Sequence, residues 1–182
     1  MVPPVRPLRN QVEEWLEVGR CRLLARWAGA VEKVDRGHPR RLPAESYRVP
    51  GEVVFVTMVA RRNVCLVDGE TPSRVLAAMH SAASRYGVRL HAYCLMPSHL
   101  HVICSGAPGC DVALWLRRFK GGAARRVGGP LWQRSYWDRH ARESDDAVAM
   151  MLYTLENPVR RGLCKEWTDW PWSWSEWHQA GG

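Results

Sequence analysis

The run Val88-Arg89-Leu90-His91-Ala92-Tyr93-Cys94-Leu95, the turn Met96-Pro97-Ser98 and the run His99-Leu100-His101-Val102-Ile103-Cys104 read as two strands joined by a short connection. Both runs have strand character, and Pro97 and Ser98 punctuate them as turn residues do. In the second run, His99 and His101 stand either side of one apolar residue. Residues i and i+2 of a strand face the same side, so the imidazoles project together. Their Cα atoms are then roughly 7 Å apart, within reach of one shared ion. Leu100 points the opposite way, into the core.

Upstream, Val53-Val54-Phe55-Val56-Thr57-Met58-Val59 is the continuous apolar run of a strand buried on both faces. Thr71-Pro72-Ser73 offers a helix start, and Val75, Leu76, Met79 and Ala83 recur at helical spacing until Tyr86-Gly87. Downstream, Asp111 caps a helix whose apolar stripe is Val112, Trp115, Leu116 and Phe119. Leu131 to Trp137 reads as a fourth strand. Ser144, followed by Asp145 and Asp146, caps a last helix through Glu156, ended by Asn157-Pro158. The order β-α-β-β-α-β predicts an α+β fold: a ferredoxin-like split βαβ antiparallel sheet with helices on one face, plus a C-terminal helix.

A chain of 182 residues with 46% hydrophobic content buries one core, which places a single domain at residues 51–182. Residues 1–50 form an N-terminal extension: a Pro-rich arm, a helix from Asn10 carrying Val12, Trp15, Leu16, Leu23, Leu24 and Trp27, and a charged linker from Gly29 to Pro50. The net charge of +8 favours a polyanionic partner. The six cysteines form no CxxC pair, and the start of the chain lacks the apolar core of a secretory leader, so reduced thiols and a cytoplasmic location are expected. No run approaches the 18 or so apolar residues of a membrane span.

A histidine pair two apart is a weak motif alone, because catalytic metal sites usually recruit three protein ligands. His38, His80, His91, His140 and His178 show no comparable spacing. Tyr153 and Asn157 lie four apart and share one helix face, so both can approach the pair. Their ordinary roles are a core aromatic and a helix terminator. The helix after Asp111 carries Arg117, Arg118 and Lys120, with Arg125 and Arg126 further on. Its position directly after the histidine strand suggests phosphate contact, and Arg134 and Arg139 around the fourth strand are further candidates. The tail Trp167-Thr168-Asp169-Trp170-Pro171-Trp172-Ser173-Trp174 reads as packing onto the domain rather than as a base-stacking platform.

Three blocks together carry a resemblance: Tyr93 to His101, Leu131-Trp132-Gln133-Arg134-Ser135, and Tyr153-Thr154-Leu155-Glu156-Asn157-Pro158-Val159-Arg160-Arg161-Gly162-Leu163. In this order they resemble the REP-associated tyrosine transposases, a group of single-tyrosine HUH transposases. The likeness runs from about Val53 to Trp174 and leaves out residues 1–50. It implies a metal-dependent nuclease and strand transferase for single-stranded or hairpin DNA, working through a 5′-phosphotyrosine. Position by position, it implies His99 and His101 as metal ligands, Asn157 as the polar ligand completing the site, and Tyr153 as nucleophile. Mg²⁺ or Mn²⁺ is the implied ion, and Arg160 and Arg161 join the arginines that could follow phosphates. The short link from the fourth strand to Ser144 favours a monomer over a homodimer exchanging the tyrosine helix. Two alternatives remain: a DNA-binding protein that keeps the fold without turnover, and a metal-dependent phosphoesterase that forms no covalent adduct.

Overall fold

The computed structural model describes residues 42–141 and 144–176. Its elements are β1 (Val53–Val59), α1 (Thr71–Tyr86), β2 (Val88–Leu95), β3 (His99–Gly106), α2 (Val112–Val127), β4 (Trp137–His140), α3 (Ser144–Arg160) and β5 (Ser173–Ser175), with short 3-10 turns at Ala44–Arg48 and Trp167–Asp169. The five strands lie in the order β4-β1-β3-β2-β5, and every neighbouring pair is antiparallel. The split βαβ frame is therefore present, extended by a fifth strand from the tryptophan-rich tail. The helix expected from Asn10 lies outside the described residues. Residues 42–48, read from sequence as the end of a linker, pack on the domain: Tyr47 is buried in the main core and its hydroxyl bonds Asp138.

Strand alternation divides the sheet into two faces. Val54, Val56 and Met58 of β1 and Leu100, Val102 and Cys104 of β3 meet α1 and α2, where Trp115, Phe119, Leu116 and Met79 fill the main core. A bulge between Leu90 and Ala92 adds one residue to β2 and switches its alternation. Val88 and Leu90 before it, and Tyr93 and Leu95 after it, consequently all contribute to that same core. On the other face, Phe55, Ala92 and Ile103 pack against Ala149, Met150, Met151 and Tyr153 of α3.

Two boundaries differ from the sequence reading. The fourth strand is Trp137–His140, not Leu131 to Trp137; Trp132 makes only an isolated bridge to Ala60. Lys120 Nζ donates to the backbone carbonyls of Gln133, Arg134 and Ser135, turning them to α2 instead of into a strand ladder. The last helix passes through Pro158 to Arg160. Proline removes only its own N–H from the ladder, and the carbonyls beyond are still met: Arg161 N–H donates to Asn157, and Leu163 N–H to Pro158. Gly162, at φ 67°, supplies the left-handed residue that closes the helix.

Candidate active site

The first half of β3 turns His99 and His101 to the α3 face, with ring centroids 4.5 Å apart in an edge-on arrangement. Leu100 between them is fully buried in the main core, as the alternation requires. Thr57 stands directly opposite His101 in the β1–β3 register, and its Oγ1 lies 2.8 Å from His101 Nδ1. Phe55 stacks on the same imidazole at 5.3 Å. Burial, then His99, then Arg161 hold the His101 pKa well below the ordinary histidine value, so the imidazole is neutral and keeps a lone pair for a ligand. His99 Nδ1 is 3.0 Å from Ser98 Oγ. Cys94 flanks His101 in the β2–β3 register, but burial raises its thiol pKa and opposes ionisation to a thiolate donor.

The turn presenting His99 is fastened from three sides. Ala60 N–H donates to the Ser98 carbonyl, Leu66 N–H to Pro97, and Met96 N–H to His99, each at 2.8 Å. Behind it, Leu95 N–H donates to the Trp172 carbonyl, and Trp170 Nε1 donates to the Leu95 carbonyl at 3.0 Å. Trp172 and Trp174 pack against the main core, so the tail packs as its sequence suggests and also braces the histidine turn.

From the other side, α3 presents Tyr153 and Asn157 one turn apart. The Tyr153 ring lies 6.2 Å from the His101 ring at a 70° interplanar angle, and the Arg160 guanidinium sits 4.8 Å over the Tyr153 ring. Asn157 is buried, and its Nδ2 has no hydrogen-bond partner among the described residues. A half-turn of the amide exchanges Nδ2 and Oδ1, which would put an oxygen at this orphaned position. Two imidazoles and an amide oxygen would suit a divalent cation with mixed nitrogen and oxygen ligands. Among the described residues no group of three or more His, Cys, Asp and Glu side chains could hold a metal, so the third protein donor here would be the amide.

The transposase IS200-like family model matches residues 52–147, just over half of the chain. The chain belongs to this family. Within it, the transposase is 30% identical over 87 residues to the REP-associated tyrosine transposase of Escherichia coli, covering 46% of this chain and 52% of that protein. A relative from Haemophilus influenzae, named for the same class, is 22% identical over 139 residues, covering 68% of this chain and 79% of the relative. The solved structure of a REP-associated tyrosine transposase bound to a REP hairpin superposes with a TM-score of 0.65 at 25% identity, covering 75% of this chain and 81% of that one. The family match ends before Tyr153 and Asn157 and assigns neither a role.

Four of the basic positions expected to follow DNA lie across the sheet from the imidazoles. Arg117, Arg118, Arg125 and Arg126 are exposed on α2. Arg118, Arg125 and Arg126, with Arg85, Ser81 and Tyr86, line a groove of about 550 Å³ between α1 and α2. Lys120 differs from them, because its three N–H donors face the carbonyls of the loop before β4. Arg139 stands opposite Phe55 in the β1–β4 register, which puts it on the transposase's α3 face, and Arg134 is exposed in the preceding loop. Thr57 escaped the sequence reading. Its signal was present, since it is the one polar residue in Val53–Val59 and a buried hydroxyl requires a partner.

Proposed function

We propose that this transposase is a metal-dependent single-stranded DNA endonuclease and strand transferase, acting on hairpin or palindromic elements through a 5′-phosphotyrosine. The observation that carries the reading is the placement of Tyr153 beside His101 within one chain. That placement makes the site self-contained and favours a monomer. His99, His101 and Asn157 would hold a divalent cation, Mg²⁺ or Mn²⁺, which supplies a Lewis acid at the scissile phosphate.

Tyr153 Oη attacks the scissile phosphorus, the bond from phosphorus to the 3′-oxygen breaks, and that oxygen leaves as a hydroxyl carrying the proton the phenol gives up. The new tyrosyl phosphodiester replaces the one broken, so a second 3′-hydroxyl can reverse the step with no external energy source. Arg160, stacked on the phenol, restrains the Tyr153 ring, and Arg160 and Arg161 offset phosphate charge. The hairpin bound by the related transposase supports a hairpin partner here. Its duplex stem offers phosphates to Arg117, Arg118, Arg125 and Arg126, while Arg134, Arg139, Arg160 and Arg161 take the strand around the site.

The test incubates purified protein with Mn²⁺ and a 3′-labelled DNA hairpin bearing a single-stranded flank, then resolves the products on a denaturing gel. A covalent protein–DNA adduct is expected, lost in Tyr153→Phe with binding retained. Binding without cleavage would make the protein a DNA-binding module, and hydrolysed product without adduct would make Tyr153 structural.

A further inference from the structure

We propose that Thr57 is the positioning residue of His101: its hydroxyl oxygen accepts the imidazole Nδ1–H, fixing the tautomer that leaves the Nε2 lone pair for a cation. The inference rests on the reading of His101 as a metal ligand. Its structural basis is separate from that reading. Oγ1 and Nδ1 are 2.8 Å apart, both residues are less than a tenth exposed, and their backbones are direct register partners. Phe55 lies nearly parallel to the imidazole at an interplanar angle of 23°, which limits ring tilt. The Thr57 contact then fixes which ring edge faces β1.

A neutral imidazole carries one proton, and its position decides whether the ring can bind a cation. With the proton on Nδ1, Thr57 accepts and Nε2 has a lone pair. With the proton on Nε2, Thr57 must donate and Nε2 cannot act as a ligand. Arg161, at the end of α3, places positive charge where it acts on His101. Hydrogen-bonding partners of this kind hold ligand histidines in register in metal sites generally, and their loss costs about 10–100-fold in metal affinity.

The experiment reads the His101 ring nitrogens by ¹⁵N NMR in metal-free protein, and Mn²⁺ affinity by calorimetry, for wild type, Thr57→Val and Thr57→Ser. Valine keeps the shape of threonine and removes the hydroxyl; serine restores it. The Nδ1–H tautomer is expected in wild type and Thr57→Ser, with a shift to Nε2–H in Thr57→Val and Mn²⁺ affinity lower by about 10–100-fold. An Nε2–H tautomer in metal-free wild type, or a Thr57→Val protein with wild-type tautomer and affinity, would overturn the proposal. If wild type binds no Mn²⁺, the metal-ligand reading fails, while the tautomer ratio still decides the role of Thr57.

Discussion

The two faces of the sheet are built from the same strands and do opposite things. β3 sends Leu100, Val102 and Cys104 into an apolar core closed by two helices, and sends His99, His101 and Ile103 to a face covered by one helix. On the first face the buried polar atoms without partners include the indole N–H groups of Trp115 and Trp132, donors that cannot ligate a cation. On the second, the apolar patch stops at the imidazoles, and the unpartnered buried atoms of α3 among the described residues are the Thr154 hydroxyl and the Asn157 amide nitrogen. Polar groups cost free energy when buried unless something pairs with them, so an amide left unpartnered beside the second face marks a departure from an apolar core. The larger apolar core lies on the side of α1 and α2, and the proposed chemistry on the side of α3.

The largest effect expected comes from splitting neighbours on β3. His99→Ala should lower adduct formation on the order of 10²–10³-fold, because a group acting at the reacting phosphate is lost. Its thermal stability should change by less than about 1 kcal/mol, since His99 is only partly buried at the strand start. Leu100→Ala should behave in the opposite way, costing about 2–5 kcal/mol by opening a cavity while leaving cleavage by the folded fraction close to wild type. Denaturant melts and single-turnover cleavage on both variants measure this double dissociation. If Leu100→Ala abolished cleavage at full folding, the two faces would not be separable.

A smaller effect separates the basic surfaces. Replacing Arg118, Arg125 and Arg126 together with alanine should weaken binding of a duplex stem and flatten the salt dependence by about 0.9 for each phosphate contact removed. Arg160→Ala with Arg161→Ala should instead lower cleavage more than stem binding, since these side chains stand at Tyr153 and His101. Fluorescence anisotropy over a salt series, beside cleavage rates, measures both. An unchanged salt slope in the triple variant would free the groove between α1 and α2 from any part in DNA binding.

The hairpin of β2 and β3 and the shared side of the two imidazoles were legible in the sequence, because a period of two leaves no other arrangement once the run is a strand. Even the facing of α2 was implicit: if Leu100 enters the core beneath the two helices, the imidazoles must look away from them. Adjacency in the chain concealed it, since α2 follows β3 directly yet packs across the sheet. The start of β4 was not legible, because it depends on Lys120 capturing three carbonyls from another element. Nor was the passage of α3 through Pro158, which depends on how the following residues satisfy its end. Thr57 needed the β1–β3 register, a long-range pairing that local pattern does not encode.

A smaller, graded difference between the faces should appear with pH, because each holds one histidine whose pKa is depressed. His101 is lowered by burial, then by His99 and Arg161, while the more exposed His80, packed against Tyr93 and Trp174, is lowered by partial desolvation. In the unfolded chain both take a proton near the ordinary value of 6.5, whereas the folded protein resists until lower pH. Between those values the unfolded state binds more protons, so stability is lost as pH falls below 6.5 and regained as it rises. Melting temperatures of the metal-free protein between about pH 7.5 and 5, the range in which histidine titrates, should therefore fall with acidification. His101→Gln should flatten that fall more than His80→Gln, because the buried ring resists the proton more strongly than the exposed one. Equal flattening by the two would mean that water reaches the imidazole pair as freely as it reaches His80, and the α3 face would then be no drier than the surface of α1.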